Sequence, residues 1–410
     1  MKKQIKRKNV VVRDETLRDG AQQPGINLTF DDRKALAMMS AELLNVPGSP
    51  VCNQIDLGMP EISAKMRVFI RNLSVLLKKF ERIDLFVTGR STEQSLEDMM
   101  YSLEPVPEER RIIAPFIGVS TKHRRKMSMN KRDVLRNVKK TMGAAMKYNA
   151  RIHFPLEGGY NAYLEDREYV YDIFSVLEDI GVEAVPLCDT VGISLPFELS
   201  TSYPSYGEAI ADLSNRFPGI QISSHCHNDF GLALANTLQG ILNGAAIVDG
   251  TYFGIGERAG NTSLQELLTV LNEKQIELGV SSNSNLRKLT TISKKMAAII
   301  GIKVPGNTPI IGRNVFRHAS GIHQSGTLKD SKTYEPYKPK DIGLKGHKIS
   351  LSYLSGKSGI NYILQEKFNI RLNEQQLTSV SKKFKEMVDK GRDPERDLIR
   401  VVGKVLQKTD

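Results

Sequence analysis

A chain of 410 residues, 40% of them apolar, can bury a full core, and its length allows one large domain with a smaller appendage. The basic segment 1–8 is followed by only three valines before Arg13, which excludes a signal-peptide apolar region or a membrane span there and makes the cytoplasm the expected location. A net charge of +12 raises the question of a polyanionic partner, but the densest basic runs, 122–126 (KHRRK) and 382–385 (KKFK), hold Phe384 as their only phenyl or phenol ring. That is too little for a stacking groove, so nucleic acid is not an expected partner and the runs read as solvated faces.

Short β-rich apolar runs alternate with helical patterns from Val10 to about Ile276. Strands are predicted at 10–15, 54–58, 83–89, 111–119, 151–158, 182–190, 221–229 and 246–254. Helical stretches between them include 30–44 after the capping candidate Thr29, then 61–79, 131–148, 168–180 and 232–242. Eight such alternations predict an α/β fold, a closed parallel TIM (β/α)8 barrel. An open doubly wound sheet is the alternative, but no GxGxxG follows the first strand. A last barrel helix is expected near 263–278. The polar stretch 281–285 and the Gly/Pro-rich 305–312 then mark a change, giving a barrel domain at 1–280 and a smaller, helix-containing C-terminal subdomain at 281–410. Cys52, Cys188 and Cys226 are odd in number and form no CxxC, so neither a disulfide framework nor a zinc knuckle is indicated.

A barrel builds its site at the carboxyl ends of its strands, and those ends carry the unusual residues here. Strand one runs into Arg13 to Gly20 (RDETLRDG), strand five ends at Glu157, strand six at Asp189 and Thr190, strand seven at His225 to Asp229 (HCHND), and strand eight at Gly254 to Asn261 (GIGERAGN). His225 and His227 are two apart on a strand, so both imidazoles share a face while Cys226 points away. With Asp19 on the same rim they suit a divalent ion acting as a Lewis acid, although an HxH alone also reads as ordinary polar residues at a strand end. Arg18 is either an ion-pair partner for Asp14 or Glu15, or a fixed cation for developing oxyanion charge. Glu157 and Asp189 are either acid/base groups or acceptors for rim arginines. The turn containing Gly254, Gly256, Glu257 and Asn261 permits close backbone approach to a ligand, and a plain Gly-rich turn closing the barrel is an equally good reading.

These motifs, in this order, resemble the DRE-TIM metallolyase superfamily. They are 14–20 (DETLRDG), Pro24-Gly25, 189–192 (DTVG), 225–233 (HCHNDFGLA) and 256–261 (GERAGN). Further on, 320–326 (SGIHQSG) and 334–341 (YEPYKPKD) look like the subdomain of its acetyl-CoA-condensing branch, the synthases of 2-isopropylmalate, homocitrate and citramalate, so the resemblance covers roughly 10–365.

The resemblance implies that Asp19, His225 and His227 hold a divalent metal ion (Mg, Mn, Zn or Co) with Asn261 near its shell. It implies that Arg18 polarises the substrate, that Thr190 binds the substrate carboxylate, and that Glu157, His323 and Tyr334 form the acid/base set. His323 and Tyr334 are implied to act across a homodimer. The implied reaction condenses acetyl-CoA with a 2-oxo acid and releases CoA, whose phosphates a positive rim would suit. Three positions depart from the family pattern: Ala21, Ser325 and Pro155. The last lies where the substrate side chain is read. For a homocitrate synthase, Arg90, Lys122 and His123 are candidate partners for a second carboxylate, though Asp19 stands where such enzymes often carry Glu. An acyl-CoA lyase and a non-catalytic basic binding protein are the more distant alternatives. Because the chain stops at Asp410, leucine inhibition through an additional C-terminal domain is not expected.

Overall fold

The computed structural model describes residues 7–281 and 284–407, apart from the side chain of Glu395. It divides into two compact units, Met1–Lys303 and Val304–Asp410. The boundary thus falls at the second of the two expected breaks, not at 280. Val280–Ser281 pairs in parallel with Lys8–Asn9, the backbone N–H of Asn285 donates to Leu43 O, and the apolar face of helix Leu289–Ile300 is buried through Leu289, Ile292 and Met296. Those contacts tie 280–300 to the first unit.

In the first unit, eight parallel strand positions close on themselves. They are Val11–Asp14, Asn53–Asp56, Ile83–Arg90, Arg111–Gly118, the split strand Arg151–Ile152 and Leu156–Glu157, Ala184–Asp189, Gln221–Cys226 and Ile247–Gly250. Each pairs with the next, and the eighth pairs with the first, Ile247 opposite Val11. The fifth strand is interrupted at Pro155, which has no N–H to donate, and resumes at Leu156 opposite Ile117. Helix Phe30–Leu44 starts where expected because Thr29 and Asp32 form a reciprocal capping box. The helix expected from 61 begins at Ala64, because Pro60 opens a short 3-10 turn and Ser63 takes the cap, accepting from Met66 N–H. Strand eight ends at Gly250, four residues early, and Tyr252–Gly254 turns as a 3-10 segment with Phe253 at φ 64°.

Alternation along the strands puts Arg13, Gln54, Phe86, His153 and Asp249 inside the barrel, so the interior below the rim is charged. Arg13 is 1% exposed. Its Nε donates to Gln54 Oε1 at 2.8 Å, Nη2 lies 2.7 Å from His153 Nδ1, Nη1 lies 3.3 Å from Asp249 Oδ1, and the guanidinium stands 4.1 Å over the Phe86 ring. A buried arginine survives only when its donors are met in this way.

The second unit is built on helices Lys357–Phe368, Glu374–Val388 and Pro394–Leu406, whose apolar faces meet at Ile360, Leu364, Val380, Phe384, Leu398 and Val402. Helix Gly321–Lys329 is capped by Ser320, and buried Gln324 ties it to a short parallel pair, Arg317–His318 with Lys348–Ile349, by donating to Ser350 O. Among the described residues, no helix is long and apolar enough to cross a membrane.

Candidate active site

Strand seven shows how the sequence makes the site. Outward-facing Ser224 and Cys226 lie 3.6 Å apart on one side, while Ser223 and His225 point into the barrel, and His227 continues that face one residue beyond the strand. Asp19 sits in the loop after strand one, where the chain enters the turn Gly20–Gln22. The donor atoms of Asp19, His225 and His227, all buried, lie within 4.8 Å of one another. Nε2 of His225 is 3.5 Å and Nε2 of His227 is 3.7 Å from Asp19 Oδ2.

The opposite ring nitrogens are occupied. His227 Nδ1 lies 3.2 Å from Gly260 O, which can only accept, so the proton belongs on Nδ1 and Nε2 offers its lone pair. His225 Nδ1 lies 3.1 Å from Asp249 Oδ2. Asn261 Nδ2 donates to Asp19 Oδ1 at 3.0 Å and fixes that carboxylate, while its own Oδ1 is buried without a hydrogen-bond partner. One carboxylate oxygen and two imidazole nitrogens converging beside an orphaned amide oxygen fit a divalent cation. A second cluster, Glu15, His225 and Asp249, is equally tight, but guanidinium groups neutralise it: Arg18 Nη2 is 2.5 Å from Glu15 and Arg13 Nη1 is 3.3 Å from Asp249. Its negative charge is thus already balanced by arginines.

The electrostatics agree. Burial would raise the Asp19 pKa, yet Arg18 and the two imidazoles hold it well below the usual carboxylate range. Burial would lower His225, but its bonds to Asp19 and Asp249 lift it to about 9. His227 is pulled down to about 4 by burial and then by the charge on His225.

A cavity of about 410 Å³ opens above the cluster, lined by Arg18, Asp19, His225, His227, Glu157, Thr190, His123, Glu257 and Arg258, with Met59, Phe116 and Pro155 as an apolar wall. Arg18 is an ion-pair partner of Glu15, one of the two readings left open, and it also lies on the cavity wall. Its Nε donates to Glu15 at 2.7 Å and its Nη1 to Asp19 at 2.9 Å, while part of the guanidinium remains open to the cavity. Thr190 Oγ1 accepts from Gly158 N–H at 2.8 Å, leaving its hydroxyl proton to donate inward. Glu157 Oε1 is 3.5 Å from His123 Nε2, and His123 Nδ1 is 2.6 Å from Ser120 Oγ. Gly256, at φ 155°, passes so close that a Cβ would stand 2.1 Å from Asn261 Nδ2 and 2.8 Å from Asp19 Oδ1.

The remaining candidates make other contacts. Arg90 is exposed and spent on Glu61 at 2.9 Å, and neither it nor Lys122 is on the cavity wall. Gly254, at φ 63°, serves the turn itself: a Cβ there would stand 3.0 Å from Asn261 O. Asp189 accepts from the N–H groups of Ile193 and Ser194 and from Ser194 Oγ, so it shapes its loop. His323 and Tyr334 belong to the second unit, where their rings stack at 4.0 Å and 18°, beside His318, whose Nε2 is 3.0 Å from Glu335 Oε1. Sequence reasoning missed Asp249, Met59 and Phe116. Asp249 alone left a signal, an acid directly after the apolar run 245–248.

Fold and cluster together define a class: a parallel (β/α)8 barrel with two imidazoles, one carboxylate and an adjoining arginine at the carboxyl ends of its strands. The HMGL-like family matches residues 9–296, and the homocitrate synthase post-HMGL domain-like family matches 310–392. The chain belongs to the HMGL-like family, followed by the post-HMGL domain. It is 32% identical over 399 residues to 2-isopropylmalate synthase 1 of Caldanaerobacter subterraneus subsp. tengcongensis, covering 96% of this chain and 95% of that one. It is 33% identical over 386 residues to 2-isopropylmalate synthase of Pyrococcus abyssi, covering 94% and 75%. Among solved structures, the HMG-CoA lyase of Bacillus subtilis shares the fold, with a TM-score of 0.58 at 19% identity over 73% of this chain and 96% of that one.

Proposed function

We propose that this protein is an acyl-CoA-dependent 2-alkylmalate synthase: acetyl-CoA, a 2-oxo acid and water give a 2-alkylmalate-type acid and CoA. The observation that carries it is similarity along nearly the whole chain, post-HMGL domain included, to proteins named 2-isopropylmalate synthase. The preferred 2-oxo acid is 2-oxoisovalerate, giving 2-isopropylmalate. Met59, Phe116 and Pro155 offer an apolar wall to its side chain, and of the candidate partners for a second carboxylate Arg90 is turned to Glu61, Lys122 is off the cavity wall, and His123 is engaged by Glu157 and Ser120.

Asp19, His225 and His227 would hold a divalent ion, which supplies Lewis-acid polarisation of the 2-oxo acid's carbonyl. Arg18, anchored by Glu15, keeps a fixed positive charge at the cavity for oxyanion charge developing on that carbonyl. The Thr190 hydroxyl donates to the substrate carboxylate. Glu157, beside His123, is positioned to hold or pass a proton at the cavity wall. His323 and Tyr334 are assigned to the same acid/base set through the resemblance of their segment, and a homodimer and a cytoplasmic location belong to the same proposal. Thiol release from acetyl-CoA, followed with 2-oxoisovalerate, pyruvate and 2-oxoglutarate with and without chelator, tests it. Chelator-sensitive turnover preferring 2-oxoisovalerate is expected; no release with any acid after metal is restored overturns it.

A further inference from the structure

The barrel interior beneath the cluster holds a buried acid that the chemistry above leaves without a task. Asp249 is 3% exposed and is the only carboxylate among the described residues within hydrogen-bond reach of His225 Nδ1, at 3.1 Å. Its position is over-determined. Oδ1 lies 3.3 Å from Arg13 Nη1 and accepts from Ser223 Oγ at 3.2 Å, and Oδ2 lies 3.4 Å from Arg13 Nη1. Arg13 is in turn clamped by Gln54, His153 and the Phe86 ring, which come from strands two, five and three. A carboxylate this buried persists only beside a compensating cation, and a guanidinium this buried only with its donors met.

An imidazole that donates through Nδ1 to a carboxylate presents Nε2 as a lone pair, with the ring fixed and its basicity raised. Here Nε2 is the nitrogen that faces Asp19. We propose that Arg13 and Asp249 form a positioning relay, in which Arg13 fixes the Asp249 carboxylate in place and Asp249 orients His225 through Nδ1, so that Nε2 is committed to the cation. The relay rests on the metal-binding reading of Asp19, His225 and His227. It assigns Asp249 to ligand orientation, not to contact with substrate. It also accounts for a charged layer where a barrel of this kind is ordinarily filled by branched apolar side chains.

The test is metal binding, not turnover. Full-length protein stripped by chelator is titrated with Co²⁺ against a chromophoric competitor, for the wild type, for Asp249→Asn and for Ser223→Ala. Asp249→Asn keeps size and one acceptor oxygen but loses the charge, and its Kd is expected to rise about 10- to 100-fold. Ser223→Ala, which removes one neutral contact to Asp249, is expected to stay within about threefold. A folded Asp249→Asn protein with wild-type affinity overturns the relay while leaving the metal site standing. A wild type that binds neither Co²⁺ nor Zn²⁺ overturns the metal reading and the relay with it. Should Asp249→Asn not fold, nitrogen-15 spectra of the Zn²⁺-loaded wild type decide: a slowly exchanging His225 proton on Nδ1 supports the relay, and one on Nε2 overturns it.

Discussion

Replacing His153 by Gln should remove a definite part of the acid sensitivity of this barrel. His153 is completely buried, and its Nδ1, 2.7 Å from Arg13 Nη2, can serve as acceptor only while the ring is neutral. Burial, opposed by Glu183 and reinforced by the Arg13 charge, brings its pKa from 6.5 down to about 4. An unfolded chain therefore takes up a proton near pH 6.5 that the folded chain refuses until about pH 4. Stability from this group is complete above 6.5 and is lost as pH falls toward 4. The linkage relation gives a loss of about 2 kcal/mol between pH 8 and pH 5, approaching about 3 kcal/mol below pH 4. Urea unfolding of wild type and His153→Gln at both pH values measures it, because other titrating groups are common to both proteins. The wild-type advantage over the variant should shrink by about 2 kcal/mol on going from pH 8 to pH 5. Equal pH dependence in the two proteins, or a wild type that gains on the variant in acid, would refute the reasoning.

Four further outcomes follow from the geometry. Arg18→Gln should lower kcat by about 100- to 1,000-fold, since Arg18 faces the cavity, and because it also donates to Asp19 the Co²⁺ affinity should shift with it. Gly256→Ala should cut activity about 100-fold, because its Cβ collides with Asn261 and Asp19, and the loss should appear in Co²⁺ affinity as well as in turnover. Arg90→Ala should leave kcat/KM for every 2-oxo acid within about twofold, as expected of an exposed ion pair off the cavity wall. Phe384→Ala should cost the second unit about 3–5 kcal/mol, read as earlier protease cleavage between 357 and 406.

How far the sequence could be read depended on how local each signal was. Alternation and capping are local, so the eight strand positions and the start of helix Phe30–Leu44 at the Thr29 cap could be read directly. Termination by a single backbone angle is not, and strand eight was drawn to 254 because nothing in Val248 to Thr251 announces that Phe253 takes a positive φ. The unit boundary failed for a related reason. The polar stretch at 281–285 looks like a linker, yet its flanks pair with Lys8–Asn9 and with Leu43, partners far away in the chain.

The site divides in the same way. Asp19, His225 and His227 were legible because period two and strand-end placement fix where side chains point, whatever the neighbouring strands do. Arg90 pairs with an acid, Glu61, that only the folded chain brings within 2.9 Å. Asp249 was missed for a deeper reason. In isolation an acid in an apolar strand is a cost, and only the convergence of Arg13 from strand one and His225 from strand seven turns that cost into a function. If the interior charges exist to hold a ligand geometry, the harm done by substituting Asp249 must appear in metal affinity before it appears in stability. If they exist only to satisfy one another, an apolar replacement of the whole set would stabilise the barrel and leave metal binding as it was.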